Sequence, residues 1–250
     1  MSLSLEVRRD IQDGTVWVAT IARPERRNAL DNETIDALDA MLREAATSSE
    51  VRALVLTGSG TAAFCAGSDL KAVREMTADQ CIEHTARGQA LMRSIEEHPC
   101  LVVAAIEGYA LGGGLELALA CDLRVAGEGA QFGLPEVTKG MLPGWGGTFR
   151  LTRAIGLARA QAVLLGGVRL TAAEALAAGL IMKVVEEGGA ARVATDLAAS
   201  LASGSTRDTY ARAKALLLAG VHADSALGST LELLAESIQS HADTYGVPSD

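Results

Sequence analysis

A buried strand runs through a cluster of glycines directly into a buried helix, and this succession limits the possible folds more than any other feature. The strand is LVVAAI at 101–106, the glycines occupy 112–114, and the helix continues with LELALA at 115–120. A short apolar run bounded by turn residues predicts a buried strand. A helix that is apolar on nearly every face is itself buried. Both elements therefore belong to the interior of a layered α/β domain.

The rest of the chain alternates in the same way. Strands are predicted at 15–22, 51–57, 122–126, 130–132 and 181–185, and helices at 28–46 and 72–97. From about residue 148 the chain becomes rich in Ala and Leu, and Thr171 and Glu174 have the spacing of a capping box that starts a helix. We expect an α/β core over 1–190, followed by a helical region of three amphipathic helices over 191–250.

Charge and cysteine usage exclude several classes of function. With 22 basic and 31 acidic residues the net charge is −9, which argues against a nucleic acid as partner. The four cysteines form no Cys-x-x-Cys pair, so we expect no metal site, no disulfide framework and reduced thiols. No signal-peptide pattern opens the chain, and no apolar run reaches the ~20 residues of a membrane span. We therefore expect a cytoplasmic protein.

Two motifs that often carry chemistry are weak in this chain. The segment GSGTAA at 58–63 has the form of a dinucleotide-binding fingerprint, but a second turn at 65–69 stands where a helix should open. Neither Ser59 nor Ser68 lies in a G-x-S-x-G elbow, and no histidine is evidently placed to activate either one. Both a nucleotide site and a catalytic serine are disfavoured.

The glycine cluster and two glutamates are stronger candidates. Glycines at a helix start leave N–H groups exposed at the positive end of the helix dipole, where an oxyanion could be held. Alternatively, the glycines only permit close packing of the helix on the strand. Glu116 lies in the buried helix and needs either a partner or a chemical role. Glu136 follows GLP at 133–135 in a turn, where a solvated glutamate is also common.

Taken together, these segments resemble the enoyl-CoA hydratase/isomerase (crotonase) family. The resemblance covers about residues 15–190, in the order and spacing of the family, through IARPERRNAL at 21–30, FCAGSDLK at 64–71, GYALGGGLELA at 108–118, CDLR at 121–124, FGLPE at 132–136 and PGWGGT at 143–148. It implies an α/β fold built as a crotonase-like spiral of β-β-α turns, with a helical C-terminal region that forms trimers, often as a dimer of trimers.

The resemblance also implies a catalytic centre. By matching motifs, the N–H groups of Ser68 and Gly113 form the oxyanion hole for the thioester oxygen. Glu116 is the base, Glu136 is the acid, and the N–H of Gly144 helps to hold the water. Because both glutamates are present, 20 residues apart as in hydratases, the expected reaction is the reversible hydration of a 2-enoyl-CoA thioester. The alternatives are an isomerase or dehydratase of the same family, or a relative that binds CoA esters or RNA with little catalysis.

The remaining implied features concern the coenzyme A part of the substrate. Backbone around Ala66, Asp69 and Leu70 is expected to receive the adenine end, with Arg26 or Arg27 near the phosphates. No separate cofactor is implied, because hydration includes no redox step. The chain departs from the family pattern at Trp145, where many relatives have a small residue, and in its C-terminal sequence YGVPSD at 245–250.

Overall fold

The computed structural model describes residues 6–8 and 16–220, which form two sheets and the helices around them. The larger sheet contains, in order across it, β1 (Glu6–Arg8), β2 (Val16–Ile21), β3 (Ala53–Gly58), β5 (Leu101–Ile106), β7 (Leu123–Gly127) and β10 (Lys183–Val185). The smaller sheet contains β4 (Ala63–Cys65), β6 (Tyr109–Leu111), β8 (Gln131–Gly133) and β9 (Leu170–Thr171). Strands β1 and β9 pair antiparallel with their neighbours, and the other pairings within the two sheets are parallel.

The helices connect and cover these sheets. They are α1 (Asn32–Thr47), α2 (Leu70–Arg74), α3 (Ala78–Glu96), α4 (Gly113–Ala120), α5 (Gly147–Ile155), α6 (Leu157–Leu164), α7 (Ala172–Ala177), α8 (Ala190–Gly204) and α9 (Arg207–Gly220). Short 3-10 helices lie at Pro24–Arg26 and Val137–Lys139. No helix within the described ranges is long and apolar enough to cross a membrane.

Successive strand pairs give the chain its spiral course. The pairs β3–β4, β5–β6 and β7–β8 each place one strand in the larger sheet and the next in the smaller sheet, and a helix follows. The expected spiral of β-β-α turns is thereby confirmed. Leu70 at the start of α2 and Gly113 at the start of α4 both line the cavity of the candidate site.

The larger sheet is covered on both faces, as the burial of every residue of β3 and β5 requires. Side chains from α1, α3 and α4 pack on one face. On the other face lies α8, through alanines repeated every four residues at positions 190, 194, 198 and 202. This spacing forms a single stripe of small side chains, so the helix axis can approach the sheet closely.

The single helix predicted over 72–97 is wrong in one respect, because the chain forms two helices there. Asp69 caps α2 by accepting hydrogen bonds from the N–H groups of Lys71 and Ala72. A capping box then starts α3: the Thr77 hydroxyl accepts from the Gln80 N–H, and the Gln80 side chain accepts from the Thr77 N–H. These local side-chain bonds favour a break over a continuous helix.

Glycines 58 and 60 do not form a dinucleotide site of the fingerprint type. After β3 the chain runs directly into β4, so the helix that the fingerprint needs is not formed there.

A cavity of about 650 Å³ lies beside these residues, against α8. Its buried carboxylate, Glu107, accepts a hydrogen bond from the Ala190 N–H at 2.9 Å and so caps the start of α8.

Helix α9 is fixed to the core by a buried lysine. The Lys214 ammonium donates to the carbonyl oxygens of His98 at 2.9 Å and Cys100 at 3.3 Å, and it forms an ion pair with Asp122 at 2.9 Å. Two of the three helices predicted after residue 190 are thus present as α8 and α9. The predicted third helix and the unusual C-terminal sequence lie outside the described residues.

Candidate active site

The start of α4 lies in close contact with two neighbouring segments. The turn before it needs Gly112, whose φ of 55° and ψ of −128° are unfavourable for a residue with a side chain. A Cβ at Gly114 would lie 1.9 Å from the carbonyl oxygen of Cys65, and one at Gly113 would lie 2.4 Å from the Trp145 ring. The glycine cluster therefore has the packing role that was one of its two sequence interpretations.

The close contact between the start of α4 and the loop at 65–69 places two backbone donors side by side. A Cβ at Gly67 would lie 2.8 Å from the Gly113 nitrogen, so the loop that carries Ser68 contacts the first turn of α4. Neither the Ser68 N–H nor the Gly113 N–H donates to a backbone acceptor within the described residues. Because unpaired N–H groups at a helix start attract negative charge, this arrangement is suited to a developing oxyanion.

Glu116, on the first turn of α4, is buried with 2% of its surface exposed. Its Oε1 accepts hydrogen bonds from the backbone N–H groups of Trp145 at 2.8 Å and Gly147 at 2.7 Å. Burial raises the pKa of Glu116, and these two N–H groups together with the charge of Arg150 oppose that rise. The carboxylate is held in one orientation by these two donors, which lie 29 and 31 residues after Glu116 in the sequence.

Glu136 lies beside Glu116 but in a different environment. Its Oε1 is close to Gly112, where an added Cβ would lie 2.8 Å away, and its buried Oε2 has no hydrogen-bond partner within the described residues. Burial, together with the nearby charge of Glu116, raises the pKa of Glu136 to about 7. The two carboxyl groups therefore differ in what holds them: Glu116 is anchored by N–H donors, and Glu136 is a weak acid with a free oxygen.

Both glutamates line a cavity of about 290 Å³. Seven of the ten site residues predicted from the sequence line it: Ala66, Ser68, Leu70, Gly113, Glu116, Glu136 and Gly144. Its other lining residues are Gly67, Val73, Cys81, His84, Thr85, Gly112, Pro135, Lys139, Met141, Leu142 and Trp145. Within the described residues, no three His, Cys, Asp or Glu side chains are grouped so that they could hold a metal ion.

Asp69 does not line this cavity, because its polar groups are engaged elsewhere. Its carboxylate accepts from the Arg23 guanidinium at 3.0 Å, in addition to capping α2. Its N–H donates to the Leu30 carbonyl at 2.9 Å. Arg23 also pairs with Asp31, so this cluster ties the loop at 65–69 to the start of α1.

Arg26 and Arg27 lie outside the cavity on the exposed 3-10 turn. Arg27 has a left-handed conformation, with φ of 52°, and its guanidinium lies 5.8 Å from the centre of the Tyr109 ring. The Arg27 carbonyl accepts from the Ala66 N–H at 3.0 Å, which joins this turn to the cavity loop. The backbone of this turn therefore contacts the cavity loop, while the side chains of the two arginines are exposed at the surface.

Sequence reasoning missed the cavity residue His84, and it identified Trp145 only as a departure from the family pattern. The Trp145 ring is buried against Gly88 of α3 and Gly113 of α4, and its centre lies 5.4 Å from that of His84. His84 is also hydrogen-bonded to Ser68, with 2.7 Å between Nε2 and Oγ. A histidine is thus placed beside Ser68, contrary to the expectation from the sequence.

Comparison with known proteins agrees with this geometry. The sequence profile of the family described as enoyl-CoA hydratase/isomerase matches residues 11–245. The chain belongs to the enoyl-CoA hydratase/isomerase family.

Several members of this family resemble the chain over most of their length. The short-chain-enoyl-CoA hydratase of Clostridium acetobutylicum is 39% identical over 192 residues, which are 77% of this chain and 74% of that protein. The (E)-benzylidenesuccinyl-CoA hydratase of Thauera aromatica is 38% identical over 218 residues, 87% of this chain and 83% of that protein. The crystal structure of an enoyl-CoA hydratase from Bacillus anthracis has a TM-score of 0.88 and 34% identity, covering 92% of this chain and 89% of that one.

Proposed function

We propose that the protein is an enoyl-CoA hydratase, which reversibly adds water to a 2-enoyl-CoA thioester and gives a 3-hydroxyacyl-CoA. The observation that carries this proposal is the pair of glutamates in one cavity, one anchored by two N–H donors and the other with its pKa raised to about 7. Adding water to a conjugated thioester needs one group that accepts a proton from water and one that donates a proton to carbon, and an ionised carboxylate with a protonated carboxyl group can supply both. The hydratase names of the relatives support the same reaction.

The first element of the mechanism is the stabilisation of charge on the thioester oxygen. When water attacks C3 of a conjugated thioester, negative charge moves to the carbonyl oxygen. The free N–H groups of Ser68 and Gly113 would donate to that oxygen, supported by the dipole of α4. Loss of one such donor typically lowers the rate by about 10²–10³.

The second element is proton transfer by the two carboxyl groups. Glu116 acts as the base that takes a proton from the attacking water, because its two N–H donors stabilise the ionised form. The N–H of Gly144, which lines the same cavity, would hold that water. Glu136 then delivers its proton to C2, a task suited to a carboxyl group whose pKa is about 7. Since no electrons are transferred, the reaction needs no separate cofactor.

The third element is the binding of coenzyme A, which we assign to the edge of the cavity. Ala66 and Leu70 line that edge, and Asp69 supports it by capping α2. Arg26 and Arg27 are exposed on the adjoining turn, where they could pair with phosphates. We propose that the protein acts on acyl-CoA esters of fatty acid metabolism in the cytoplasm, as a homotrimer or a dimer of trimers.

Conservative substitution of each glutamate tests the proposal. Because Gln can neither accept nor donate the required proton, Glu116→Gln and Glu136→Gln should each lower hydration of crotonyl-CoA by about 10²–10⁴. The exposed Glu128 provides a matched control, and Glu128→Gln should retain the wild-type rate. The measurement is the loss of the conjugated thioester absorbance.

A 3-enoyl-CoA substrate in the same assay separates the alternatives. An isomerase that depends on Glu136 alone would tolerate Glu116→Gln. A protein that only binds CoA esters would show no turnover in any form. Near-normal hydration by Glu116→Gln would overturn the assignment of the base.

A further inference from the structure

The side chain of Ser68 belongs to a chain of hydrogen bonds that hydration does not use. Ser68 Oγ lies 2.7 Å from His84 Nε2, and His84 Nδ1 lies 2.7 Å from Asn32 Oδ1. The three residues come from the loop after β4, from α3 and from the first position of α1. A serine, a histidine and an orienting side chain are thus joined in one line.

The direction of these hydrogen bonds favours activation of the serine. Because Asn32 Oδ1 can only accept, the proton of the imidazole lies on Nδ1 and the lone pair of Nε2 faces Ser68. Burial lowers the pKa of His84 and outweighs the opposing charge of Asp31, and the charge of Arg87 adds a smaller lowering effect. A neutral histidine in this tautomer is the general base that a nucleophilic serine requires.

The serine also lies beside the place where a thioester carbonyl is expected. Ser68 and His84 both line the cavity of about 290 Å³ that contains the glutamates. The N–H of Ser68 is one of the two free donors next to the start of α4. In serine hydrolases the N–H of the nucleophilic serine itself can form part of the oxyanion hole. A carbonyl carbon whose oxygen is held by Ser68 and Gly113 is therefore adjacent to Ser68 Oγ.

We infer that the cavity has a second activity, the hydrolysis of acyl-CoA thioesters through an acyl-enzyme on Ser68. Oγ attacks the thioester carbon as its proton passes to His84 Nε2, the C–S bond breaks, and the departing thiolate takes that proton. Water then attacks the ester while His84 accepts a proton, and the carboxylic acid leaves as the proton returns to Oγ. The inference rests on the proposed function only in that the same cavity accepts a CoA thioester.

A saturated substrate isolates this activity, because butyryl-CoA has no double bond to hydrate. Wild-type protein should release free thiol from butyryl-CoA, measured with a thiol-reactive dye. Ser68→Ala and His84→Gln should each lower that release by about 10²-fold or more. Ser94→Ala is the matched control, since Ser94 lies on α3 with its hydroxyl bonded to Asp39, outside the cavity. It should retain the wild-type rate.

A covalent readout distinguishes catalysis from a merely structural serine–histidine pair. Acid quenching during turnover, followed by peptide mass spectrometry, should show a butyryl group on the peptide that contains Ser68. Its absence, or thiol release that is equal in wild type and Ser68→Ala, would overturn the inference. If a variant fails to fold, as circular dichroism would show, the wild-type adduct still decides the matter.

Hydration of crotonyl-CoA by the same preparation keeps the two proposals apart. Hydration without thiol release from butyryl-CoA refutes the hydrolase inference alone. Thiol release and a Ser68 adduct without hydration refute the hydratase proposal alone.

Discussion

Replacing Gly88 with alanine tests how tightly the Trp145 ring is held between α3 and α4. A Cβ at Gly88 would lie 2.1 Å from Trp145 Nε1 and 2.2 Å from Cε2, far inside van der Waals contact. The ring cannot easily shift away from Gly88, because its opposite edge is in close contact with Gly113. The alanine methyl group and the indole ring therefore compete for the same space.

The expected effect follows from two opposing contributions. Overpacking a buried site typically costs about 1–3 kcal/mol. Exchanging Gly for Ala inside a helix stabilises by roughly 0.5–1 kcal/mol. Gly88→Ala should therefore lower the free energy of unfolding by roughly 0–2.5 kcal/mol in the wild-type background. In the Trp145→Ala background the ring is gone, and the same change should raise that free energy by roughly 0.5–1 kcal/mol.

The assay is urea unfolding of the wild type, both single variants and the double variant, followed by far-ultraviolet circular dichroism. This signal does not depend on the tryptophan that is removed. Gly204→Ala in both backgrounds is the control, since a Cβ there meets nothing within 4 Å. If Gly88→Ala has the same effect in both backgrounds, within about 0.5 kcal/mol, the proposed contact between Gly88 and the ring is refuted.

Three further predictions concern activity and assembly. The proposed proton donor is protonated Glu136, whose pKa is about 7. The value of kcat/KM for hydration should therefore fall as pH rises through 7, by about tenfold per pH unit well above that value. A flat profile between about pH 6 and 9 contradicts this role. Trp145→Ala enlarges the cavity while keeping the backbone N–H that binds Glu116, so kcat/KM for a ten-carbon relative to a four-carbon 2-enoyl-CoA should rise about tenfold or more. An unchanged ratio would show that the ring does not limit chain length. Sedimentation velocity at micromolar concentration should show a trimer or hexamer, and a stable monomer would refute the assembly expected from the family.

Much of the fold could be predicted from local patterns. The strand at 101–106 is found with the predicted bounds, because a short apolar run bounded by turn residues is informative without long-range contacts. The capping box of Thr171 and Glu174 starts α7 as expected. The missed break between α2 and α3 was also encoded locally, in the spacing of Thr77 and Gln80, which form a capping box of the same kind.

The site was predictable as a set of motifs but not as a network of contacts. The partners of Glu116 lie 29 and 31 residues away, in a segment whose position depends on the whole spiral. The prediction of a single helix over 72–97 excluded a contact between Ser68 and His84. At 1.5 Å per residue, such a helix would carry residue 84 roughly 20 Å from its start. The break before α3 instead turns the chain back over the loop of Ser68.

The buried ammonium of Lys214 has a consequence for the order in which the chain matures during synthesis. It lies 114 residues after Cys100, one of the carbonyls that it binds. At roughly 5–20 residues per second, the ribosome adds those residues in about 6–23 s. Until then the carbonyls of His98 and Cys100 and the carboxylate of Asp122 lack their cation and must stay hydrated. The part of the nascent core around these groups therefore remains open to water until α9 has been synthesised and has emerged from the exit tunnel.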